Sequence, residues 1–256
     1  MHYQKNYLTN VILRLDFPQQ NILLVQDKPT FSTDIKDRFP VVSSHQLSQM
    51  SFSMGPGQDA GFSKQTLGFK WDHRNAPDGN KVVVLSPSHL SIEYTQGQDA
   101  YDHFQEFQDN LMAVFEAFEN RYQVPQFTRL GLRYVNEIVM PQGNPLNWDG
   151  LINNHLITSV KAGEKENFDL TRSIHQYSSA YDDISVNFIY GIKNPEYPSA
   201  VARREFILDF DCSISGEIES NDVLGRVVQL NEICSELFED SIENDLRELM
   251  EVIEDA

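Results

Sequence analysis

Thr128–Met140, TRLGLRYVNEIVM, decides the fold: it reads as one long strand, stopped by Pro141, which has no N–H for a ladder. Its counterpart near the start is Leu8–Phe17, LTNVILRLDF, stopped by Pro18. There Val11, Leu13, Leu15 and Phe17 fall on one face, and Arg14 and Asp16 on the other. That two-residue period marks a half-buried strand. Leu13-Arg14-Leu15 superposes on Leu132-Arg133-Tyr134.

Outward from the first strand, Phe31, Ile35 and Phe39 have helical spacing in Phe31–Phe39, and Pro40 closes that turn. Ser43–Ser63, rich in Ser, Gln, Gly and Met, reads as a loop with weak strand content. Phe69-Lys70-Trp71 and Val82–Leu85 flank Asp78-Gly79, a hairpin signal. Ser88–Thr95 alternates again, with Leu90, Ile92 and Tyr94 inward. A long helix over Tyr101–Tyr122 follows, its apolar stripe running from Phe104 and Phe107 to Phe118 and Tyr122.

The same order returns after Thr128–Met140. Trp148–Val160 reads as a short helix, Lys161–Asn167 as a loop, and Asp183–Gly191 and Ala202–Ser213 as strands around an Asn194-Pro195-Glu196 turn. A closing helix spans roughly Asp222 to Ile253, with Val227, Leu230, Cys234, Phe238, Ile242, Leu246, Leu249 and Ile253 as its stripe. Leu90–Tyr94 lies beside Phe206–Phe210 in this alignment. The expectation is an α+β fold of two similar β-α-β-β-β-α halves, 1–125 and 126–256, tightly coupled. Long amphipathic helices would cover one face of an antiparallel sheet.

Composition narrows the class. The chain has 256 residues, 40% hydrophobic and 23% charged, enough for a sizeable core. No apolar run is long enough to span a bilayer, and Met1–Asn6 lacks a signal-peptide pattern. Cys212 and Cys234 have neither metal nor redox spacing. The reading is a cytoplasmic protein without disulfide, metal or cofactor. Net charge is −18, and Ser215–Ala256 alone holds thirteen acidic residues against Arg226 and Arg247. Duplex nucleic acid is disfavoured by such a field.

Leu130–Ile138, LGLRYVNEI, resembles the central GLRY-(I/V)-N-x-I strand of a sporadically distributed bacterial family of uncharacterised function. The early strand into Phe17-Pro18, the Arg38-Phe39-Pro40 helix end and the closing Leu237–Ile242 with Leu246-Arg247-Glu248 are similar too. The resemblance implies no catalytic residues. It suits a module of mobile elements, including toxin–antitoxin and anti-phage systems.

Motifs for phosphate loops, dinucleotides or zinc proteases do not occur. His73, in Trp71-Asp72-His73-Arg74, and His175, with Asp182 and Asp183, read as solvated rather than catalytic. Cys234, on the apolar stripe, reads as a buried inert thiol. The polar strand face offers Arg14, Arg133 and Asn136, with Glu93 and Asp209 across from the arginines. These are either cross-strand ion pairs or a surface for a carboxylate, phosphate or peptide. Glu232, Glu236, Glu239 and Glu243 recur at three- and four-residue steps and would line an acidic partner face.

The expected function is a non-enzymatic protein-interaction module. It would be a regulator, immunity or antitoxin-like factor, or accessory subunit of a mobile or defence system, with a protein partner or a second copy. The alternative is a nucleic-acid-processing enzyme or nucleotide-ligand sensor using the polar sheet face.

Overall fold

Burial of alternate residues makes the early segment a strand. β1 (His2–Tyr3) is followed by β2 (Leu8–Asp16), whose Val11, Leu13 and Leu15 are at most 1% exposed. The computed structural model describes residues 2–20, 30–53, 61–96, 101, 103–163 and 169–253. Next come α1 (Phe31–Asp34), β3 (Val41–Ser53), β4 (Gly61–Arg74), β5 (Lys81–Leu85), β6 (His89–Thr95) and α2 (Phe104–Tyr122). The remainder is β7 (Gln126–Met140), α3 (Thr158–Gly163), β8 (Ser173–Tyr181), β9 (Ile184–Ile192), β10 (Arg204–Glu219), α4 (Val223–Ser241), α5 (Asn244–Met250) and β11 (Val252–Ile253).

Nine strands form one antiparallel sheet in the order β3-β4-β5-β6-β2-β7-β10-β9-β8. β1 and β11 make a separate two-stranded ribbon. The α+β class and the antiparallel sheet are as expected. Helix α2 starts where His103 accepts the Glu106 N–H at 3.1 Å and ends at Gln123, in the left-handed region at φ 48°. Its Phe107, Leu111, Val114, Phe115 and Phe118 join a buried cluster that runs from Val11 to Met250.

Four segments differ from their sequence reading. In Ser43–Ser63 the described residues are strand rather than loop, β3 pairing with β4 and adding a strand to the first half, while 54–60 lie outside the described residues. The ladder outweighs the weak strand propensity of Ser, Gln and Gly. Trp148–Val160 is not a helix, and α3 begins only at Thr158. The Asn147 and Asn153 side chains accept the backbone N–H groups of Asp149 and His155, forming local turns that compete with helix. β8 was missing from the pattern because most of its side chains are exposed. The closing helix breaks after Ser241. Ile242 leaves the helix to bridge Ile152, and the N–H of Glu243 bonds to Leu151 O at 2.9 Å, with Asp245 N–H on Gly150 O at 3.1 Å. Leu249, on the expected stripe, is 49% exposed, and Met250 takes the buried place at 1%.

Candidate functional site

Strand alternation sends Leu130, Leu132, Tyr134 and Ile138 of β7 into the core and Arg129, Gly131, Arg133, Val135 and Glu137 to the opposite face. Neighbouring strands bring Ile12, Arg14 and Asp16 of β2 and Ile207, Asp209 and Asp211 of β10 beside them. At the centre, Arg133 donates Nε and Nη2 to the two carboxylate oxygens of Asp209 at 2.8 and 2.6 Å. That fork is the strong form of the ion pair, and Asp209 is only 4% exposed. Donating to Asp209 raises the Arg133 guanidinium above its already high ordinary value.

Beside this pair, Arg129 reaches Asp211 at 3.5 Å and Asp16 at 3.9 Å, and Arg14 reaches Asp16 at 2.7 Å. Arg129 lies over Gly131, where a Cβ would sit 2.8 Å from its Nη1. Gly131 thus leaves room for a guanidinium flat against the sheet. Arg14, Arg129 and Arg133 meet Asp16, Asp209 and Asp211, so the cluster is electrically balanced inside a chain of net charge −18.

Next to the cluster is a groove of about 550 Å³. Ile12, Val135, Ile189 and Ile207 give it aliphatic surface, and Lys193 and Glu137 add a charge of each sign. Such a mosaic can hold aliphatic side chains and orient them by charge.

The site residues expected from sequence divide four ways. Arg133 and Asp209 form the expected pair. Arg14 and Glu93 do not: Arg14 stands opposite Ser91 and is held by Asp16, while Glu93 stands opposite Ile12 and accepts from Ser91 Oγ at 2.7 Å. Arg133 stands opposite Asp211 and leans to Asp209, whereas Glu93 lies on the other diagonal from Arg14. Asn136 belongs to the opposite face, where it is 4% exposed and donates to Leu208 O at 3.4 Å. There it lines a cavity of about 320 Å³ with Tyr3, Tyr101, Tyr134, Asn231 and Cys234. Tyr134 donates to Asn231 Oδ1 at 2.7 Å, and burial pushes its phenol far above the usual range, so it stays a neutral donor. The cavity can hydrogen-bond a small neutral molecule.

The acidic row is also divided. Glu232 and Glu236 are exposed on α4. Glu239 is clamped inside the fold by Tyr3 OH at 2.7 Å and Arg247 Nε at 3.1 Å. Glu243 lies beyond α4 and caps α5. The helix break at Ile242 thus takes Glu243 off the common face, and the clamp on Glu239 withdraws a second of the four.

His73 is not the solvated loop histidine expected, and His175 is half-buried. His73 is fully buried on β4, with Nε2 2.8 Å from Ser32 Oγ. His175 stacks on Tyr190 and has Nε2 2.6 Å from Ser159 Oγ, away from Asp183, which pairs with Arg226 at 2.9 Å. The fold brings the two thiols together: Cys234 Sγ is 3.4 Å from Cys212 Sγ, and both are buried. The hydrogen bond with Cys212, then burial, raises the Cys234 thiol far above its ordinary value.

Sequence reading missed Asp16, Arg129, Asp211 and Gly131 as parts of the site. A signal was present: Arg129, Gly131 and Arg133 share one strand face, and a mid-strand glycine marks close approach of another group. No group of three or more His, Cys, Asp or Glu poised for a metal occurs among the described residues, and no described helix is long and apolar enough to cross a membrane. No family model matches the chain, and no curated protein matches it significantly.

Proposed function

We propose that this chain is a non-enzymatic, cytoplasmic interaction protein that seats a partner protein against the open face of its sheet. A regulator, immunity factor or accessory subunit works in this way. The groove beside Arg133–Asp209 carries the reading, because aliphatic surface bordered by both charge signs is protein-interface chemistry. The partner segment presents aliphatic side chains to Ile12, Val135, Ile189 and Ile207 and a carboxylate toward Lys193. Phosphate recognition is the weaker reading. Each central arginine already faces a carboxylate, so an anion would have to displace one inside an acidic chain.

The proposal includes the arrangement that leaves this face open. Tyr134 meets Asn231 of α4 at 2.7 Å and Tyr101, just ahead of α2, at 3.3 Å. Those contacts support both long helices lying on Tyr134's side of the sheet. We read 1–125 and 126–256 as one duplicated unit, with the extra strand β3 in the first copy. The central strands β2 and β7 each lie beside the last strand before their half's long helix, β6 and β10, and this order supports the duplication.

The test is quantitative co-purification from the native host with Ile12→Lys and Ile189→Lys, beside Glu232→Lys on α4. The account expects one partner to be lost from both groove variants and kept by Glu232→Lys. Loss from Glu232→Lys alone would place the contact on α4 and contradict the proposal. So would unchanged capture by all three.

A further inference from the structure

Strand β8 ends the sheet and, among the described residues, pairs with β9 alone, in unbroken register from Ser173–Ile192 to Tyr181–Ile184. Its outer edge therefore presents a row of backbone donors and acceptors. Edge strands are commonly guarded by charge, proline or a bulge. At the opposite edge the β3–β4 ladder has a register shift, Leu47 pairing with Gly68 and Ser48 with Thr66. β8, SIHQYSSAY, has no Asp, Glu, Lys, Arg, Pro or Gly, in a chain of net charge −18. It exposes Ile174 at 39%, Tyr177 at 44% and Tyr181 at 63%.

The flanks suggest what covers it. Arg172 precedes the strand and Asp182 follows it, both exposed and both five residues from Tyr177. Two antiparallel copies of β8 centred on Tyr177 therefore bring Arg172 of each opposite Asp182 of the other. The same register puts Tyr177 opposite its own copy, Ile174 opposite Ala180 and Gln176 opposite Ser178. Tyr177 already packs edge-on to Phe188 at 5.3 Å, and Phe188 stacks on Phe210 at 4.5 Å. A second Tyr177 lengthens that aromatic row across the boundary.

We infer that two copies of this chain join β8 to β8 about a two-fold axis at Tyr177, making one continuous sheet. The interface is self-complementary, as a two-fold contact must be. It rests on the backbone edge of β8, where Arg172 and Ile174 also line the groove, so the two-fold contact sets the grooves of both copies beside each other on one open face.

The experiment uses the full chain. Light scattering after gel filtration should give twice 29.4 kDa. Gln176→Lys with Ser178→Lys sets lysines opposite lysines and should give a monomer that keeps the wild-type far-UV circular dichroism and a cooperative melt. Tyr177→Cys should form a disulfide-linked dimer under mild oxidation, because directly opposed residues lie about 4.5–5.5 Å apart, within disulfide reach. Ala180→Cys, which does not face itself, should not. Arg172→Glu should weaken the dimer about tenfold, and adding Asp182→Lys should restore it. A wild-type monomer at the highest soluble concentration overturns the inference. So does a dimer that Tyr177→Cys fails to link, or a β8 edge that binds only a foreign strand.

Discussion

Leu13 and Leu132 are direct cross-strand partners where β2 meets β7. They are also equivalent when Leu13-Arg14-Leu15 is laid on Leu132-Arg133-Tyr134. A two-fold axis between them makes Arg14 opposite Gly131 the counterpart of Arg133 opposite Ile12, and both pairs are present. This register supports duplication of the unit. The two arginines differ in their carboxylate: Arg133 faces Asp211 and grips Asp209, while Arg14 faces Ser91 and turns to Asp16 on its own strand.

Removing Arg133 leaves a nearly buried carboxylate without its fork. Arg133→Met should destabilise the fold by about 1–3 kcal/mol in urea titrations. Adding Asp209→Asn should recover part of that loss, since the stranded charge is gone. Equal stability of wild type and Arg133→Met would show that the pair is only a solvated contact.

Two strand glycines should respond differently to alanine. At Gly191, φ is 128° and a Cβ would lie 2.0 Å from the Ser173 carbonyl oxygen, which is backbone and cannot step aside. Gly191→Ala should cost about 1–3 kcal/mol. At Gly131 the clash is with the flexible end of Arg129, so Gly131→Ala should cost less than about 1 kcal/mol. Thermal melts of both variants check the contrast.

The central strands were legible because one face of each is buried. Leu13, Leu15, Leu90, Ile92, Leu130 and Leu132 wrote a two-residue period into the sequence. β8 left no such period because most of its side chains are exposed, and the β3–β4 hairpin is spelled in Ser and Gln that neighbouring strands order. The break at Ile242 was invisible because its cause is the distant segment Gly150–Asn153. At the site, Arg133–Asp209 was legible from polar alternation. Asn136 shares the buried face of Tyr134 by its even position on β7, and its polarity hides that placement in the sequence.

His89 gives a pH dependence with a definite sign. Burial, then the positive charge of Arg14, lowers it from 6.5 to about 4 in the folded chain. Below 6.5 the unfolded chain takes up a proton that the folded chain refuses, so stability falls as pH drops from 6.5 through about 4. His89→Asn, which keeps a partner for Ser86 Oγ, should flatten this part of the curve in urea titrations at stepped pH. An unchanged slope would show that His89 contributes nothing to it.

Cys212 and Cys234 are both 0% exposed, with the Cys234 thiol pushed up by its bond to Cys212 and by burial. Neither should react with a thiol reagent in the native protein, and both should react together in urea. Fast labelling of one thiol under native conditions would mean that α4 opens locally from β10.

The central claim is that the open face around Arg133 and Ile12 is where a partner binds. A photo-crosslinking amino acid placed at Ile12, and separately at Glu232 on α4, tests it in the native host. The account expects a discrete cross-linked partner from position 12 and none from position 232. A partner captured from position 232 and not from position 12 would contradict it.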